Sequence, residues 1–239
     1  MKVDRLVRCS RDLLGLELGP DVQRAFSLYA DELLAWNQNV NLTAITAPED
    51  IEMRHFLDSL SVSLAISLTP NLRVIDVGTG AGFPGLPLRL VFPYIELTLL
   101  EATTKKTAFL EHIVQHLKLS NVRVINARAE EAGQNPATRE TYDLALARAV
   151  AQMPTLGEYL LPLCRVGGRC VALKGENAVA ETQQAENALR ILGGRVEKVI
   201  PVELPQVAET HYLVVVQKVA ATPPQYPRRP GIPAKRPLR

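Results

Sequence analysis

The residues whose types and spacing point to chemistry begin where a short apolar run, Val74-Ile75-Asp76-Val77, passes directly into Gly78-Thr79-Gly80-Ala81-Gly82-Phe83-Pro84-Gly85. Glycine permits a sharp turn and lets a ligand approach bare backbone, and a helix that follows offers unsatisfied amides at its N-terminus. The arrangement predicts a nucleotide-type pocket. A second apolar run closes on Glu101, where a carboxylate can accept both hydroxyls of a ribose. Gly80, Gly82 and Gly85 also satisfy the dinucleotide fingerprint, and a tight turn that serves only core packing would leave the same trace.

Three other groups stand out. Arg148 ends the run from Asp143 to Ala147, and its planar fork suits a cofactor carboxylate or an RNA phosphate; an ordinary ion pair with Asp143 or Glu130 is the alternative. His55, Asp58, Ser59 and Val62 share one face of a helix, which is either solvated or covers the mouth of the pocket. His112 and His116 lie four apart, but no third ligand accompanies them, so no metal is expected.

The elements that must position these groups change character near residue 70. The first 70 residues are helical in pattern: Val22, Phe26, Tyr29, Leu33 and Trp36 follow Pro20 at helical spacing, and Thr46-Ala47-Pro48-Glu49 reads as a capping box opening a helix to about Ile66. From Arg73 onward short apolar runs alternate with helical stretches, as in a parallel sheet covered on both faces. Seven strands are predicted, at Val74–Val77, Leu97–Glu101, Val122–Asn126, Leu144–Ala147, Cys170–Lys174, Val196–Ile200 and Tyr212–Gln217. Helices are expected near Leu86–Val91, Lys105–Lys118, Met153–Leu163 and Asn177–Leu192. The last two strands are too close for a crossover helix and should pair antiparallel. This organisation divides the chain into an N-terminal helical extension (1–70), an α/β domain (71–218) and a basic, proline-rich tail (219–239).

Composition is that of a globular chain, with 47% apolar and 22% charged residues, and three cysteines at no zinc or disulfide spacing suit a reducing cytosol. Neither a signal peptide nor a membrane span is supported. The net charge of +2 conceals an asymmetry: the tail holds Arg228, Arg229, Lys235, Arg236 and Arg239 with no acid, leaving 22 basic against 25 acidic residues, or −3, in residues 1–218. Six prolines beyond Val219 should break any regular element there and leave an extended tail, either solvated or ordered by contact with the body or a partner.

The Asp76-x-Gly78-x-Gly80-x-Gly82 spacing resembles the first motif of class I methyltransferases, and seven strands ending in an antiparallel hairpin suit that Rossmann-like fold, with S-adenosylmethionine as cofactor. Near the fourth strand, Asp143 to Val150 holds neither an Asp/Asn-Pro-Pro-aromatic group nor a Pro-Cys nucleophile. That absence points to an acceptor already nucleophilic, such as guanine N7, which needs positioning and electrostatics rather than a catalytic base.

Longer strings carry a closer resemblance: Asn41 to Ile45 (NLTAI), His55 to Leu60 (HFLDSL), Asp76 to Pro87 (DVGTGAGFPGLP), Leu100 to Lys106 (LEATTKK), Arg128-Ala129-Glu130, and Tyr226 to Pro233 (YPRRPGIP). From about residue 33 to the C-terminus they resemble the glucose-inhibited division protein B family of bacterial 16S ribosomal RNA guanine-N7 methyltransferases. The resemblance implies a cytoplasmic enzyme acting on 16S RNA or a small-subunit precursor, with neither membrane nor DNA as partner. It implies cofactor contacts from Gly78, Gly80 and Phe83, from Glu101, Ala102 and Thr103 at ribose and adenine, from Ala129 and Glu130 at the adenine edge, and from Arg148. Thr79 and Ala102 stand where the family commonly has serine, and both changes spare backbone contacts. Arg228, Arg229, Lys235 and Arg236 become candidate RNA contacts, with Lys105 and Lys106 either extending that surface or simply exposed. Phe83, Trp36 and Tyr226 are the candidate stacking platforms for a base. A class I methyltransferase of a small molecule or protein, or a non-enzymatic ribosome-binding protein of the same fold, are the rival functions.

Overall fold

The computed structural model describes residues 1–238, so that Arg239, counted above in the charge of the tail, lies outside the described residues. One seven-stranded sheet has the order β3-β2-β1-β4-β5-β7-β6. Its strands are β1 (Arg73–Val77), β2 (Glu96–Glu101), β3 (Val122–Asn126), β4 (Tyr142–Arg148), β5 (Cys164–Lys174), β6 (Gly194–Val202) and β7 (His211–Lys218). The first five are parallel, and β7 lies antiparallel between β5 and β6. All seven apolar runs are therefore strands, and the short link after β6 returns as the expected hairpin.

Alternation along the strands feeds two cores. Val74, Leu144, Leu146 and Val215 pack on one face, where α1 (Asp4–Leu14), α2 (Pro20–Val40), α5 (Gly85–Val91) and α6 (Thr104–His116) cover the sheet. Ile75, Ala145, Ala147 and Val216 face the other way, under α7 (Ala129–Gln134), α8 (Met153–Leu160) and α9 (Ala178–Ile191). On the first face Phe26 and Phe56 meet with ring centroids 4.8 Å apart, and Tyr29 is fully buried. Each such ring contributes about 1.5–3 kcal/mol by burial, enough to hold α2 against the sheet. Among the described residues no helix is long and apolar enough to cross a membrane.

Thr46 caps nothing: the second helical run starts at α3 (Pro48–Asp50) with Ala47 as N-cap and no side-chain bond. The run then winds as a π-helix over Ile51–Leu57, resumes at α4 (Asp58–Leu60) and tightens to a 3-10 turn over Ser61–Leu64. A π turn inside a helix is a recurrent functional-site feature. Here it helps bury His55, Asp58 and Ser59, so the solvated-face alternative does not hold.

The tail is not loosely extended. Arg139 donates to the carbonyls of Thr222 and Tyr226 at 2.8 Å each, and Gln134 to that of Pro227 at 2.8 Å. Buried Lys218 pairs with Glu140 at 3.1 Å, and Glu140 also accepts the Thr222 amide. Beyond these anchors the prolines leave room for one helical turn, α10 (Ile232–Lys235), with Pro233 in its first turn, a position that loses no helical hydrogen bond.

Candidate active site

The carboxyl ends of β1 and β4 lie side by side where the strand order reverses, the place at which an open α/β sheet leaves a crevice for ligands. The glycine loop after β1 is stitched at both ends by Asp76: its Oδ2 accepts the Thr79 hydroxyl at 2.5 Å and the Gly85 amide at 2.8 Å. The other oxygen, Oδ1, is buried without a partner, and burial pushes the carboxyl up to about 6. Tyr29 of α2 donates its hydroxyl to the Ala81 carbonyl, so the N-terminal helices help shape this loop. Gly82, at φ +100°, is where the loop has no room for a side chain: a Cβ would meet Leu86 at 2.4 Å and the Tyr29 oxygen at 2.6 Å.

A cavity of about 240 Å³ opens beside the loop, lined by Gly78, Glu101, Ala102, Ala129 and Glu130 together with Val77, Leu100, Val150 and Tyr159. Glu101 is held by two amides, Gly80 at 3.0 Å and Thr103 at 2.8 Å. A carboxylate with two amide donors keeps further lone pairs for a diol. Glu130 is buried and accepts the amide of Gly231, so the tail reaches the wall of this cavity. Of the predicted cofactor residues, Gly80, Phe83, Thr103 and Arg148 do not line it: Gly80 and Thr103 hold Glu101 from behind.

A second cavity, about 450 Å³, lies on the far side of β4 and is lined by Arg54, His55, Asp58, Arg148, Lys174, Glu181 and His211 among others. Arg148 is its fixed point. The guanidinium donates to the Asp58 carboxylate at 3.0 Å, to the Arg54 carbonyl at 2.9 Å and to His55 Nδ1 at 3.1 Å, and lies 4.9 Å from the centre of the Phe83 ring. The ion-pair partner is thus Asp58 of the N-terminal run, and neither Asp143 nor Glu130 as the sequence suggested. Asp143 pairs instead with Arg73 and Arg165.

Hydrogen bonding and burial shift the two histidines of this cavity in opposite directions. His55 accepts at Nδ1 from Arg148, which assigns its proton to Nε2, facing the Thr43 hydroxyl at 2.8 Å. Burial, with the Arg148 charge second, lowers its pKa to about 3, so it is neutral at pH 7. His211 shifts the opposite way, raised first by its 2.8 Å bond to Asp58. Ala149, between Arg148 and Val150, has φ +56°, a strained value for a residue with a side chain. This backbone lets one short segment wall both cavities, Val150 facing the first and Arg148 with Ala149 the second.

Phe83 is buried among Tyr29 (5.4 Å), His55 (4.5 Å, parallel rings) and Arg148, and offers no free face to a base. Arg228 is engaged by Glu158, whereas Arg229, Lys235 and Arg236 are exposed and have no carboxylate partner among the described residues. His211, Glu158 and Tyr159 were not singled out in the sequence. For Glu158 a signal exists, a lone acid within the apolar stretch Leu156 to Leu163.

This sheet order, the glycine loop and the crevice beside it define a class I methyltransferase fold. Solved structures agree: the YcgJ protein from Bacillus subtilis matches with TM-score 0.54 at 14% identity, over 70% of this chain and 100% of that one. Precorrin-6y C5,15-methyltransferase from Geobacter metallireducens matches with TM-score 0.51 at 14% identity, over 68% and 87%. Sequence comparison is finer. A family model described as rRNA small subunit methyltransferase G matches residues 22–208. Ribosomal RNA small subunit methyltransferase G of Roseiflexus castenholzii is 51% identical over 236 residues, spanning 99% of this chain and 100% of that protein. The protein of the same name from Desulfitobacterium hafniense is 43% identical over 233 residues, spanning 98% and 96%. The chain belongs to the rRNA small subunit methyltransferase G family.

Proposed function

We propose that this protein transfers a methyl group from S-adenosylmethionine to N7 of a guanine in 16S ribosomal RNA, in the cytoplasm. The observation that carries the reading is the pair of cavities walled by consecutive residues of the Arg148-Ala149-Val150 segment, one suited to a nucleoside and the other to a planar polar acceptor. Family membership supports the substrate class. The smaller cavity fits the cofactor by its donor set: Glu101 and Glu130 are acceptors for a ribose diol and an adenine amine, and Leu100, Val77 and Val150 supply apolar walls.

The cofactor supplies a methyl group on a cationic sulfur. Every other requirement falls on the chain. Arg148 and the Asp58, His55 and His211 around it fix the wall on which the acceptor rests, and the strained Ala149 backbone brings that wall against the cofactor cavity. With S-adenosylmethionine held by Glu101 and Glu130, its methyl carbon would pass to the guanine N7 lone pair as the carbon–sulfur bond breaks, and positive charge would move from sulfur to the purine. No proton moves. Catalysis accordingly rests on in-line placement within about 3–3.5 Å. His55, neutral and already bonded at both nitrogens, is a positioning residue. A guanine in structured RNA must be splayed out to reach this edge. Exposed Arg229, Lys235 and Arg236 supply phosphate contacts, while Arg228 fastens the tail.

The test is incubation of the purified protein with labelled S-adenosylmethionine and 16S RNA or small subunits, followed by nucleoside analysis. Label in 7-methylguanosine is expected. Label in another nucleoside, or none with either substrate, contradicts the reading.

A further inference from the structure

Away from both cavities, the interface between α2 and α6 brings together three metal-binding side chains that are distant in sequence. His112 and His116 stand one turn apart on α6, their rings 5.3 Å apart and nearly parallel. Both present Nε2 to Glu32 on α2: His112 at 2.7 Å from Oε2 and His116 at 3.7 Å from Oε1. Glu32 lies 80 residues before His112, so the spacing of the histidine pair alone carries no trace of a third ligand.

We propose that Glu32, His112 and His116 form a binding site for a late first-row divalent cation, zinc by the chemistry of its donors, that clips α2 to α6. Two imidazoles and one carboxylate are a zinc-type set that leaves one position for water. The three donor atoms lie within 4.8 Å of one another. Tetrahedral zinc with bonds of about 2.0–2.2 Å needs donors about 3.3–3.6 Å apart, so side-chain movements of about 1 Å close the site. The side chains are free to make them, since His112, His116 and Glu32 are 34%, 45% and 23% exposed. A hydrogen bond alone accounts for only part of the arrangement: it satisfies His112, whereas His116 is too far from the carboxylate for one and still aims the same nitrogen at it. Trp36, its ring 5.0 Å from that of His112, steadies the imidazole from behind.

The place matters because α6 begins at Thr104, directly after the Glu101 to Thr103 turn of the cofactor cavity, and α2 carries Tyr29 to the glycine loop. A cation here would tie together two helices that flank the cofactor site without touching the reaction.

The test uses the full chain, freed of any polyhistidine tag and stripped with chelator, titrated with zinc alone by calorimetry and followed by thermal unfolding. One saturable site per chain and a rise in Tm that chelator reverses are expected. His116→Ala should unfold at the wild-type temperature without metal, because that side chain is half exposed, and should bind zinc at least about tenfold more weakly. Glu32→Gln should weaken binding likewise, and cobalt should give visible absorption bands in the wild type that both variants lose. No saturable binding by the wild type, or equal affinity in both variants, overturns the proposal.

Discussion

Arg228 and Glu158 form a forked ion pair, Nη2 to Oε2 at 2.7 Å and Nε to Oε1 at 2.9 Å, and the same carboxylate accepts the Arg228 amide at 2.7 Å. Glu158 is fully buried in α8, one residue before Tyr159 on the wall of the smaller cavity. The tail is thereby part of the scaffold behind that cavity. Arg228→Ala strips the charge partner from a buried carboxylate and should cost about 3 kcal/mol, measured by denaturant unfolding, with faster proteolysis beyond residue 219. Alanine at Arg229, Lys235 and Arg236 together should leave stability within about 0.5 kcal/mol and weaken RNA binding, lowering its salt slope by about 2.

Glu101→Gln keeps the size of the side chain but removes the charge that a ribose diol would bind. Affinity for S-adenosylmethionine in calorimetry should fall about 10- to 100-fold, the equivalent of about 1.5–3 kcal/mol for hydrogen bonds to a charged acceptor. Unchanged affinity would remove Glu101 from the cofactor site.

His55 gives the fold an acid sensitivity. Its pKa is about 3 in the folded chain against 6.5 in the ordinary range, so stability from keeping it neutral is present above pH 6.5 and is lost as pH falls. A His55→Gln variant, compared with wild type by unfolding at pH 7.5 and pH 5, should have its deficit narrow by about 2 kcal/mol at the lower pH. Asp76 and His211, both raised, contribute with the opposite sign, and the variant-minus-wild-type difference cancels them.

Gly80 and Gly82 separate backbone strain from crowding. Both have positive φ, +62° and +100°, but a Cβ on Gly80 meets nothing within 4 Å, whereas on Gly82 it strikes Leu86 and Tyr29. Gly80→Ala should cost about 1–2 kcal/mol by thermal or denaturant unfolding, and Gly82→Ala about 1–3 kcal/mol more.

The sheet was legible because burial on both faces leaves continuous apolar runs, such as Leu144 to Ala147 in β4 and Leu213 to Val216 in β7. The glycine loop and Glu101 were legible because turn geometry demands particular residue types. What periodicity could not show is winding and long-range pairing. The π turn displaces the His55 face from its ideal helical position, and Asp58 meets Arg148 across 90 residues. The tail's order likewise depends on Glu158, Arg139 and Glu130, distant residues whose carboxylates and guanidinium replace the hydrogen bonds that proline cannot make.

Methyl transfer to guanine N7 is read directly by borohydride and aniline cleavage, which cuts at 7-methylguanosine, of 16S RNA from cells with and without the gene. One cleavage present in the wild type, lost on deletion and restored by the intact gene is the predicted result. An identical cleavage pattern with and without the gene would contradict it.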